Sequence, residues 1–87
     1  MNIQKKGQAG TMQSSDLMVK VEPANELIIE IESTVKKQFE HLIRAKLEEV
    51  LATHEIRTGS ISVSDRGALD YAIQARLEAA LQRAGAI

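Results

Sequence analysis

The chain has 87 residues, with 11 Lys and Arg against 12 Asp and Glu, for a net charge of −1. That length suits one domain with a modest core, and the even charge balance gives no reason to expect nucleic acid or an anionic membrane as a partner. Cysteine is absent, which removes disulfides, thiolate metal sites and any thiol of the chain's own, and the two aromatics, Phe39 and Tyr71, make no surface on which bases could stack.

The opening MNIQKKGQAG is polar, unlike a secretion signal, and no apolar run approaches membrane-spanning length. Both point to a soluble cytoplasmic protein. Residues 1–13 are rich in Gly, Gln and Lys and lack periodicity, so they read as a mobile N-terminal arm. A single domain then spans residues 14–87. From Leu17 the pattern alternates: Leu17, Val19 and Val21 on one face, Met18, Lys20 and Glu22 on the other. Pro23-Ala24-Asn25 interrupts it, and alternation resumes with Leu27, Ile29 and Ile31 opposite Ile28, Glu30 and Glu32. Two such runs around a short turn predict a β-hairpin.

Ser33 or Thr34 is placed to cap a helix. Val35, Phe39, Leu42, Ile43, Leu47, Val50 and Leu51 recur at helical spacing, with Lys36, Glu40, Arg44 and Glu48 on another face. Gly59 breaks the chain, and Ile61 and Val63 alternate with Ser60, Ser62 and Ser64, which predicts a third strand beginning near Ile56. Ser64 or Asp65 then caps a second helix with Leu69, Ile73, Leu77, Ala80 and Leu81 inward, ended by Ala84-Gly85. The order β-β-α-β-α predicts an α+β two-layer sandwich: a three-stranded, mainly antiparallel sheet with two helices on one face.

Conventional catalytic groupings are missing. His41 lies within the first helix and His54 follows it, and no third group beside either suggests a triad. Glu30, Glu32, Glu48 and Glu49 suit solvated faces, and metal-ligand spacing is absent. Gly7, Gly10, Gly59, Gly67 and Gly85 match no phosphate-binding loop, and Gly67 suits a strand-to-helix turn. Met12 and Met18 are too few to mark a sticky surface. Ser14 and Ser15 remain, either as a polar lead-in to a strand or as exposed hydroxyls that accept a covalent group. In the second case the group brings the chemistry and the protein brings position.

The stretch AGTMQSSD, from Ala9 to Asp16, resembles the modification segment of citrate lyase acyl carrier proteins, the gamma subunits of citrate lyase. Val35, Lys37, Gln38 and Phe39 fit the same family, as do Asp65, GALD at 67–70 and ARLEA at 75–79. The resemblance implies a non-catalytic carrier. Its modified serine corresponds to Ser14, holding phosphoribosyl-dephospho-coenzyme A through a phosphodiester, and Ser15 occupies a small-residue position. It also implies a transferase that attaches the group. The partners would be an alpha subunit, which exchanges acetyl for citrate on the carrier thiol, and a beta subunit, which cleaves the citryl thioester to oxaloacetate and acetyl carrier. The rival within the same class is the carrier subunit of malonate decarboxylase, against which GALD and ARLEA weigh. The rival from another class is a non-covalent interaction module. A helical fatty-acid carrier does not fit, because Ser14 precedes a predicted strand rather than opening a helix.

Overall fold

In a computed structural model of the chain, residues 2–34 and 39–87 are described. Six elements follow one another: β1 (Gly7–Gly10), β2 (Leu17–Glu22), β3 (Leu27–Ser33), α1 (Glu40–Thr53), β4 (Gly59–Asp65) and α2 (Asp70–Arg83). The α+β class holds. The sheet has four strands in the order β1-β2-β4-β3.

The additional strand comes from the expected arm. Gly7–Gly10 pairs antiparallel with β2, bringing Ala9 opposite Val19. Ile3 and Ala9 are buried, and Gln4 and Lys5 donate their N–H groups to the Ala84 carbonyl beyond α2. Arg83 adds a hydrogen bond to the Gln8 carbonyl at 2.8 Å. Four residues are too short a run to show alternation, and two of them are glycines, so composition alone reads as an arm. Gly7 has a packing reason: a Cβ there would sit 2.5 Å from the Ala80 carbonyl oxygen of α2.

The expected hairpin does not form. β2 and β3 do not pair; β4 lies between them, antiparallel to β2 and parallel to β3. Alternation assigns faces, not neighbours. A link such as 23–26 needs to cross only two strand spacings, about 10 Å, which four extended residues reach easily. The Gly59 N–H closes this end on the Glu26 carbonyl. The parallel β3–β4 pair then needs a crossover, and α1 is that crossover.

The predicted faces do hold. Val19 stands opposite Val63, Val21 opposite Ile61, and Ile31 opposite Val63, so the inward residues form continuous rows across the sheet. Onto them pack Ile43, Leu47, Val50 and Leu51 of α1 and Ile73, Leu77, Ala80 and Leu81 of α2. β4 is buried at every second residue, as a central strand should be, whereas Leu27 at the edge is exposed.

The helix boundaries shift for local reasons. Val35, Lys36, Lys37 and Gln38 of the predicted first helix lie outside the described residues. Ser33 belongs to β3 and gives its hydroxyl to Asp65, while α1 opens after Phe39 with no side-chain cap. Phe39 and Leu42 are exposed rather than inward. Ile56 is buried but lies before β4, where its N–H bonds the Leu51 carbonyl and that of Glu55, at φ 56°, bonds Ala52. This is a Schellman ending without glycine. The same pattern ends α2 at Gly85, where the sequence predicts it. Neither Ser64 nor Asp65 caps α2: its N-cap is Leu69, exposed, and Asp65 instead accepts the Ala68 N–H from β4's last position.

Candidate functional site

Ser14 sits in the loop 11–16 that joins β1 to β2. The loop begins where Gly10 takes φ 103°, a conformation open chiefly to glycine. At its far end the Thr11 N–H bonds the Leu17 carbonyl at 3.1 Å, closing the hairpin. Within it the Asp16 N–H bonds the Gln13 carbonyl at 3.2 Å, so Gln13-Ser14-Ser15-Asp16 is a β-turn. Ser15 holds the third place at φ 65°, the positive value that a type II turn needs there.

Two strands of contact fix the turn to the rest of the domain. The Ser15 N–H donates to the Arg66 carbonyl at 2.8 Å, and the Arg66 N–H returns a bond to the Asp16 carbonyl at 2.9 Å. The Asp16 side chain collects four donors. Its Oδ1 receives the Leu17 N–H at 2.8 Å and Arg76 Nε at 3.2 Å; its Oδ2 receives the Thr11 hydroxyl at 2.6 Å and Arg76 Nη2 at 3.0 Å. The Thr11 hydroxyl, the Arg76 fork and the Leu17 N–H lower the Asp16 pKa from 3.8 to about 2.

Ser14 itself is exposed, and among the described residues no side chain or backbone group engages its hydroxyl. The loop is anchored on both sides of it. A covalently attached group fits this position: the oxygen is accessible, and nothing the turn depends on would be lost by esterifying it.

The remaining candidates fall elsewhere. His41 is exposed on α1. His54 pairs with Glu78 at 2.7 Å, joining the end of α1 to α2. Glu30 and Glu32 lie on the outward sheet face, and Glu32 pairs with Arg66 at 3.1 Å. Met12 is half exposed in the loop beside Ser14, and Met18 faces outward from β2. Among the described residues no group of His, Asp or Glu could hold a metal ion, and no helix is long and apolar enough to cross a membrane. The sequence reading missed the roles of Thr11, Arg66 and Arg76. Only the opposite charges of Asp16 and Arg76 hinted at a pairing, across a separation of 60 residues.

A protein from Cronobacter sakazakii called citrate lyase acyl carrier protein is 52% identical over 97% of this chain and 88% of its own length. The chain belongs to the citrate lyase acyl carrier protein family. A Haemophilus influenzae member of that name is 49% identical over the same shares of both chains. The family model described as "ACP: Malonate decarboxylase delta subunit (MdcD)" also matches, over residues 4–84, so the model spans the arm-derived strand as well as the helices. The fold recurs in a chain of a Pseudomonas malonate decarboxylase hetero-tetramer, with a TM-score of 0.79, 21% identity and coverage of 94% of this chain and 86% of that one. Membership in an acyl carrier protein family implies a covalently attached prosthetic group and a place in a multi-subunit enzyme.

Proposed function

We propose that this chain is the acyl carrier subunit of citrate lyase, loaded at Ser14 with phosphoribosyl-dephospho-coenzyme A. The observation that carries the reading is a free, exposed Ser14 hydroxyl on a turn that is itself tightly anchored, in a chain half identical to citrate lyase carriers. In the loading step the Ser14 oxygen forms a bond to phosphorus of an anhydride-activated donor. The anhydride P–O bond breaks, the phosphate leaving group takes the electron pair, and the hydroxyl proton passes to a base of the transferase. Once attached, the group supplies the thiol on which acetyl and citryl groups are carried as thioesters between the alpha and beta subunits. The chain's own residues hold the attachment point still, and tethering raises the effective concentration of the acyl group at both active sites.

Carriage for a malonate decarboxylase is the second reading, favoured by the description of the matching family model. The roughly half-identical citrate lyase relatives favour the first. The test is intact mass and peptide mapping over residues 9–22 after production with the citrate lyase maturation enzymes. An adduct on Ser14, absent from Ser14→Ala and retained in Ser15→Ala, supports the reading. An adduct only on Ser15 moves the site. Citrate cleavage by an unmodified chain rules out covalent carriage.

A further inference from the structure

The attachment loop is assembled from both ends of the sequence. Thr11 and Asp16 come from the first hairpin, the Arg66 backbone from the end of β4, and Arg76 from α2. Four donors converge on the single Asp16 carboxylate, and Arg76 approaches both of its oxygens as a fork. An enzyme that read residues 9–16 as an extended peptide would have to break all of these bonds before reaching Ser14. An enzyme that reads the turn as it stands meets a hydroxyl whose backbone is already ordered, and it avoids the entropy of ordering it.

We propose that the transferase loading Ser14 recognises this loop in its folded form, and that Asp16, Thr11 and Arg76 are positioning residues that hold Ser14 for it. The inference rests on Ser14 being the attachment point. Folding of the whole domain therefore precedes loading, and α2, which carries no acceptor, is part of what the transferase requires.

The experiment measures transfer of the group onto the full chain by time-resolved intact mass, with purified transferase and donor. The acceptors are wild type, Arg76→Ala, Arg76→Lys, Thr11→Val, Ser14→Ala and a peptide spanning residues 9–22. Arg76→Ala is expected to load roughly tenfold more slowly or worse, through kcat more than KM, and the peptide roughly a hundredfold more slowly. Arg76→Lys restores part of the rate, since an ammonium keeps the charge but not the fork. Amide exchange at Ser15 quickens in Arg76→Ala while core amides stay protected, which separates a displaced loop from an unfolded domain. Thr11→Val, which removes one hydroxyl donor, shows the same change in smaller measure and serves if Arg76→Ala does not fold. Loading of the peptide, or of Arg76→Ala and Thr11→Val, at the wild-type rate overturns the inference. Loading of Ser14→Ala would instead overturn the attachment site on which it rests.

Discussion

The Ser33 hydroxyl donates to the Asp65 carboxyl at 2.9 Å, across the parallel pair of β3 and β4. Asp65 is 1% exposed, the one buried charged residue among those described, and it also accepts the Ala68 N–H at 3.0 Å. One side chain thus joins the edge strand, the end of the central strand and the turn into α2. Asp65→Ala removes the acceptor that both donors share and is expected to cost about 2–4 kcal/mol, and Ser33→Ala about 1–2 kcal/mol. Urea unfolding of the two variants checks the ranking.

Gly10 opens the loop that joins β1 to β2. Its φ is 103°, and a Cβ there would lie 1.9 Å from the Leu17 carbonyl oxygen. Gly10→Ala is therefore expected to lose at least about 2 kcal/mol, while Gly67→Ala, with no atom closer than 4.0 Å to the added carbon, is expected to lose less. Thermal melts of the pair decide whether steric collision or backbone strain dominates.

Asp16 makes stability depend on acid. Its folded pKa, about 2, lies below the ordinary 3.8, so its contribution is complete above 3.8 and disappears as pH falls through about 2. Wild type should lose stability over that window more steeply than Asp16→Asn, which cannot gain the proton. Melting temperatures recorded across the window test this, and parallel curves would show that the carboxylate contacts do not stabilise the fold.

Leu42 and Leu47 both belong to the apolar set predicted for the first helix, but five residues place them about 140° apart around α1, and their fates differ. Leu47 is fully buried, and Leu42 is 54% exposed. Leu47→Ala is expected to cost about 2–5 kcal/mol, and Leu42→Ala to stay within about 0.5 kcal/mol of wild type. A large loss at Leu42 would mean that this face of α1 packs against something else.

The legibility of the sequence varied with the range of the interaction. Faces were readable because alternation and helical spacing are local, and Val19, Ile61, Leu47 and Leu77 fall inward as their spacing predicts. Neighbours were not readable, because the same alternating pattern serves a strand paired with β2 or separated from it by β4. β1 escaped notice for lack of length, and its stability comes from α2 and β2 rather than from its own residues. At the candidate site Ser14 stood out through the residues around it. The bonds that hold its turn did not, since Arg66 acts through its backbone and Arg76 from across the domain.

The late position of β4 in the chain also governs how the protein is made. A nascent chain extended only to the end of α1 holds β1 and β2 as an isolated ribbon and β3 with no strand beside it. Such ribbons are marginal in water, and unpaired strand edges attract proteases and other chains. Most of the polypeptide must leave the ribosome before the sheet can close. Interrupted synthesis then yields fragments that carry Ser14 in an unfolded segment, open to degradation.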